Sequence, residues 1–256
     1  EASQAGIATV NTGSGATTVN TSLAGYDLTI DATTLADNAS LTLTGSANTN
    51  DFTVNNLVGS VLASGTSGNL TVSAGNATDN AIGVTTGSGS TTITASGSGD
   101  TITVNTDAMA DNTTFDINGS ATYTVSDLEA NTDAAGSSGS LTLAYSNVTD
   151  SAASLLTGSG NVVVNGANAG DTVTVTGLST NNQTFNAQAS TSNFNITAGA
   201  NNQTITGSNT GNDTIDGGAN TDTLSYAGGR NVDVTITDYS TQAGGSTGQG
   251  TDGFSN

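Results

Sequence analysis

In a chain of 256 residues, 21 acidic side chains face a single basic one, Arg230, and the formal net charge is −20; nucleic acids and anionic membrane surfaces would repel such a chain. With no His and no Cys, it can build neither Ser-His nor Cys-His dyads, nor zinc sites of imidazole or thiolate, nor disulfides. No run approaches the roughly 18 apolar residues of a membrane helix, so membrane insertion is not expected.

In chain order, short alternating runs recur from Tyr26-Asp27-Leu28-Thr29-Ile30 onward. Ser40–Leu43, Asp51–Val54, Asn69–Val72, Thr91–Thr94 and Asp100–Val104 follow, then Ala121–Val125, Ser140–Leu143, Asn161–Val164 and Asp171–Val175. The series closes with Gln183–Phe185, Asn193–Ile196 and Gln203–Ile205. Each run has period two and is bounded by Gly, Asn, Ser or Asp, the pattern of strands and turns. Around Leu23, Leu35, Met109 and Leu128 the pattern allows single turns at most, so the chain is predicted to be all-β.

Two architectures suit such closely and regularly spaced short strands: a parallel β-solenoid, or tandem β-sandwich modules followed by a short β-roll. Short strands, small side chains, 4 % aromatic content without Trp, and recurring Asn and Thr favour the solenoid. Residues 1–198 are expected to stack coils of about 20 to 27 residues, roughly 4.8 Å apart, into a rod about 40 to 50 Å long.

The densest signal lies at 208–225. Ser208-Asn209-Thr210-Gly211-Asn212-Asp213-Thr214-Ile215-Asp216 and Gly217-Gly218-Ala219-Asn220-Thr221-Asp222-Thr223-Leu224-Ser225 are consecutive nine-residue units. Each has Asp at its sixth place and an aliphatic residue at its eighth. Glycines permit turns that aim carbonyl oxygens inward, Asp adds a hard charged oxygen, and the aliphatic side chain fills a stacked coil. Ile196, Ile205, Ile215 and Leu224 follow one another at nearly the same nonapeptide interval, so the period starts near residue 190. Asp51, Asp100 and Asp171 also precede strands, where a simple turn role outweighs a calcium role.

On these units the chain resembles the hemolysin-type (RTX) calcium-repeat proteins exported by Gram-negative bacteria. Asp222–Gly229 and Val232–Ile236 are similar to that family's continuation, and Gly250–Asn256 to the opening of a further block. The resemblance covers roughly residues 207–256. It departs from the pattern at Ser208-Asn209, in place of Gly-Gly, and at Asn220, in place of Gly. It implies a calcium-binding β-roll over 199–256 behind the solenoid of 1–198, with Ca2+ held by Asp213, Asp222 and backbone oxygens of Gly211, Gly217 and Ala219, helped by Asn220. It also implies that the chain is a piece of a longer polypeptide, with any export signal in the continuation.

Catalysis is not expected. Arg230, the sole cation, lies in a Gly-Gly-Arg-Asn turn that suits a solvated loop or an ion pair with Asp233, and no Trp offers a sugar platform. The expected role is a structural protein of the extracellular cell surface, like RTX-bearing surface-layer (S-layer) or filament proteins, whose partners are copies of itself assembled with calcium. The alternatives are an adhesin holding a glycan such as cell-surface polysaccharide, a cell or ice, and a passive region of an exported hydrolase.

Overall fold

The computed structural model describes residues 8–21, 25–45, 50–75, 81–111, 113–145, 152–166, 172–180, 182–226 and 253–255. Among them there is no helix, and every strand pairing is parallel. The chain winds as a β-solenoid with two strands per coil, alternating between two sheets.

The first sheet stacks β1 (Ala8–Asn11), β3 (Leu28–Asp31), β5 (Phe52–Leu57), β7 (Leu70–Ala74), β9 (Thr91–Ala95) and β11 (Thr114–Gly119). It continues with β13 (Asn131–Asp133), β15 (Ala152–Leu156), β17 (Thr172–Leu178), β19 (Asn193–Ala198) and β21 (Thr214–Asp216). The second stacks β2 (Thr17–Thr21), β4 (Ser40–Gly45), β6 (Ser60–Gly65), β8 (Ala81–Thr85), β10 (Thr101–Asn105) and β12 (Thr122–Leu128). Beyond these come β14 (Leu141–Tyr145), β16 (Val162–Gly166), β18 (Gln183–Ser190), β20 (Gln203–Thr206), β22 (Thr223–Ser225) and β23 (Gly253–Ser255).

Alternation decides which way each side chain points. In β4, Leu41 and Leu43 are buried while Ser40, Thr42 and Thr44 face outward. Stacking turns that alternation into apolar columns: Ile30, Val54, Val72, Ile93 and Ile117 lie in register up the first sheet. In the second sheet Ile82, Ile102, Tyr123, Leu141, Val162, Phe185, Ile205 and Leu224 do the same. The columns meet between the sheets, as Phe185 and Phe194 show with ring centroids 5.7 Å apart in an edge-to-face arrangement. Each fully buried side chain of this size contributes about 1.5–3 kcal/mol.

The corners need a different device. At three of them the register shifts between the last regular core residue and a leucine: Val54/Leu57, Val125/Leu128 and Val175/Leu178. Each shift contains a residue with positive φ, namely Asn56 (57°), Asp127 (59°) and Gly177 (89°). Asn, Asp and Gly tolerate that conformation, and the bulge swings the following leucine inward to close the core's edge. Leu57, Leu128 and Leu178 are all fully buried.

Coil length varies along the rod, and some coils are shorter than the sequence suggests. Leu28 pairs with Phe52 across a long coil, whereas Phe52 pairs with Leu70 and Phe115 with Thr132 across short ones. Between β12 and β13 only residues 129 and 130 intervene, so a corner can be nearly as tight as a hairpin turn. Both sheets continue across residue 198, since β21 pairs with β19 and β22 with β20.

Candidate metal centre

The two nonapeptides form successive half-coils. β21 adds to the first sheet and β22 to the second, so the aliphatic places separate into two columns: Ile196 pairs with Ile215, and Ile205 with Leu224. The predicted site residues divide the same way. Gly211 and Asp213 lie on the turn joining β20 to β21, whereas Gly217, Ala219, Asn220 and Asp222 lie on the turn joining β21 to β22, at the opposite edge of the coil. The fold does not bring Asp213 and Asp222 together.

Each turn sits against the coil before it. Gly211 approaches that coil so closely that a Cβ would lie 1.8 Å from the Ser192 carbonyl oxygen. At Gly218, with φ of 79°, a Cβ would lie 2.0 Å from the Gly199 oxygen. Ala219 N–H donates to that same Gly199 oxygen at 3.1 Å. Asn220 also has positive φ, 82°, and its side-chain amide donates to the Ala200 carbonyl.

The carboxylates complete a reciprocal stitch. Phe194 N–H donates to Asp213 Oδ1 at 3.0 Å, while Asn212 N–H donates back across the same gap to Asn193 Oδ1 at 2.7 Å. On the other edge Gln203 N–H donates to Asp222 Oδ1 at 2.8 Å, and Thr221 N–H to Asn202 Oδ1 at 3.1 Å. All four bonds span the same sequence offset, one full coil. Ser208 adds its N–H and hydroxyl to Asp213 at 2.7–2.9 Å. Hydrogen bonds to an ionised carboxylate are stronger than neutral ones, so these two Asp side chains fasten each half-coil to its predecessor. Asn193 and Asn202 are partners that the nonapeptide pattern does not flag; the signal is an Asn one coil before Asn212 and another one coil before Thr221.

Calcium takes six to eight oxygen ligands. One edge offers the Asp213 carboxylate with the side-chain oxygens of Asn193 and Ser208 near it; the other offers Asp222 with that of Asn202 near it, and Asp216, whose Oδ1 accepts the Gly218 N–H at 3.0 Å. Among the described residues no three Asp, Glu, His or Cys side chains cluster. The side chains at both edges offer oxygen donors only, and those of Asp213, Asp222, Asn193 and Asn202 already accept backbone N–H groups. Arg230 and Asp233 lie outside the described residues, as does Asp171.

The other strand-preceding Asp residues have structural places. Asn69 N–H donates to Asp51 Oδ1 at 2.8 Å and Asp51 N–H to Asp27 Oδ1 at 3.2 Å, a rung-by-rung ladder continued by Ser90 N–H on Asn69 Oδ1. Asp100 is 2 % exposed, its Oδ2 has no hydrogen-bond partner, and burial raises its carboxyl above the ordinary value. Comparison with protein families, with curated proteins and with solved structures gave no match.

Proposed function

We propose that this chain is a region of an extracellular, calcium-dependent structural protein of the bacterial cell surface, assembling with copies of itself into an S-layer lattice or a filament. The observation that carries this reading is the pair of parallel sheets whose outer faces no described residue covers. Parallel sheets are ordinarily covered on both faces; here each outer face is an open array of Thr, Ser and Asn columns, such as Thr9, Thr29, Thr53, Thr71 and Thr92 in register. Such a rod offers repeated flat contacts along its length.

Calcium enters at Asp213 and Asp222, with Gly211, Gly217, Ala219 and Asn220 supplying the remaining oxygens of their turns. A divalent ion there offsets part of the −20 charge and stabilises the coils by mass action. Millimolar calcium should raise the melting temperature and yield ordered sheets or filaments in electron micrographs. Monomers at all calcium concentrations would refute the assembly reading.

An adhesin is the second reading, favoured by one shallow trough. Asp27, Asp51, Asn69 and Ser90 line it beside Thr29 and Thr53, a polar strip able to bond the hydroxyls of a cell-surface polysaccharide. Retention on a glycan array by a protein that stays monomeric would move the case to that reading.

A further inference from the structure

The two outer faces differ in charge. Along the first sheet Asp31, Asp116, Asp133 and Asp216 occupy strand positions whose side chains are half-buried or exposed. Along the second, from β2 to β22, the only charged strand residue among those described is Asp127, at the bulged end of β12, where its Oδ2 takes the Asn105 amide at 3.1 Å. Between those ends an outward column runs unbroken and uncharged in register from Ser40 in β4 to Ser225 in β22.

That neutral face also carries a protrusion beside a hollow. Leu62, on β6, is 41 % exposed. On the neighbouring strand Gly83, paired with Ser60, leaves a dent bordered by Ala81 and Thr103, with Asp37 at its rim. Leu62 is in register with Thr85, two places along from Gly83, so protrusion and dent lie side by side.

We infer that the outer face of the second sheet is where one copy of this chain docks on another, with Leu62 of each copy seated over the Gly83 hollow of its mate. This rests on the assembly reading above and names the surface it uses. The occupant follows from charge: a chain at −20 repels its own copies, and the face with the fewest carboxylates is where two copies approach at least cost. A two-fold axis lying in the plane of the contact, midway between protrusion and dent, makes the pair self-complementary, since each residue then meets its partner twice. The removal of an exposed leucine from water adds to the contact.

The test exploits a second exposed leucine. Leu156, 36 % exposed, faces outward from the first sheet, in register with Asp133 and Thr176. Wild type, Leu62→Asp, Thr103→Asp and Leu156→Asp are compared in millimolar calcium by sedimentation velocity and electron microscopy, with melting curves confirming that each is folded. The expected result is that Leu62→Asp and Thr103→Asp raise the concentration for half-assembly at least tenfold, while Leu156→Asp stays within twofold of wild type. Assembly of both second-sheet variants at the wild-type concentration would overturn the inference and leave the assembly reading intact. Loss of assembly in Leu156→Asp would overturn the choice of face. A wild type that stays monomeric would overturn the assembly reading and this inference together.

Discussion

The coils up to Ile205 and the half-coils after it are held by different balances of the same forces. Upstream, most strands send two large side chains into a core where they are nearly or fully buried, as with Ile102 and Val104 or Val173 and Val175. Downstream, β21 and β22 are three residues each, and their aliphatic residues, Ile215 and Leu224, are only partly buried against that core. What the nonapeptides lose in apolar burial they replace with the reciprocal amide stitches of Asp213, Asp222, Asn193 and Asn202. A repeat this small can continue a solenoid only where something besides the hydrophobic effect fastens it.

The contrast is open to direct attack. Phe194→Ala should be the most damaging, at about 3–5 kcal/mol, because it empties a filled core and removes the ring facing Phe185; Ile215→Ala, half-buried, should cost well under half as much. Equal costs in chemical denaturation would erase the distinction between the regions. Gly211→Ala should cost about 1–3 kcal/mol, since the added methyl meets the Ser192 carbonyl and the turn must move away. A melt unchanged from wild type would show that the close approach is not held in solution.

Asp213→Ala and Asp222→Ala should each cost about 1–3 kcal/mol, by leaving the Phe194 or Gln203 amide without its acceptor. Hydrogen exchange in excess EDTA reads this stitch alone, and faster exchange confined to residues near 193–225 is the expected outcome. Repeating the experiment with calcium separates metal binding from stitching: calorimetry should show a binding event in wild type that both variants lack. Unchanged exchange in EDTA would mean the carboxylates fasten nothing by themselves.

The smallest effect belongs to the upstream region and to pH. Asp100 has its folded pKa raised above the ordinary 3.8 by burial, so the ionised form is the costly one. Its contribution to stability is fully present below 3.8 and is lost as pH rises through the raised value. Asp100→Asn should therefore melt slightly higher than wild type at neutral pH, with the gap closing in acid. A gap that is constant with pH would show that the carboxyl is not desolvated.

Much of the solenoid is legible in the sequence because Leu28–Ile30, Leu41–Leu43, Ile102–Val104 and Val173–Val175 alternate cleanly. The strands that escape such a reading break that rhythm for identifiable reasons. In β6 Leu62 points outward, in β8 Gly83 interrupts the run, in β11 Asp116 and Gly119 read as turn formers, and in β15 Leu155 and Leu156 are adjacent, one facing in and one facing out. Corner leucines such as Leu128 give no signal because positive φ at the preceding Asp127 sets their direction, and local propensity does not report that. At the candidate site the Asp spacing is readable. The division of those Asp residues between opposite edges is not, because the nonapeptide is half a coil and only the parallel pairing shows which half stacks on which.

The half-coil unit also limits how such a gene can grow. Duplicating one nonapeptide would move every later aliphatic residue onto the opposite sheet and set Asp213-type turns above Asp222-type turns. Duplicating a pair returns each column to its own sheet and each stitch to its own edge. Chains of this kind can therefore change length by inheritance only in whole coils, each duplicated pair of nonapeptides adding one.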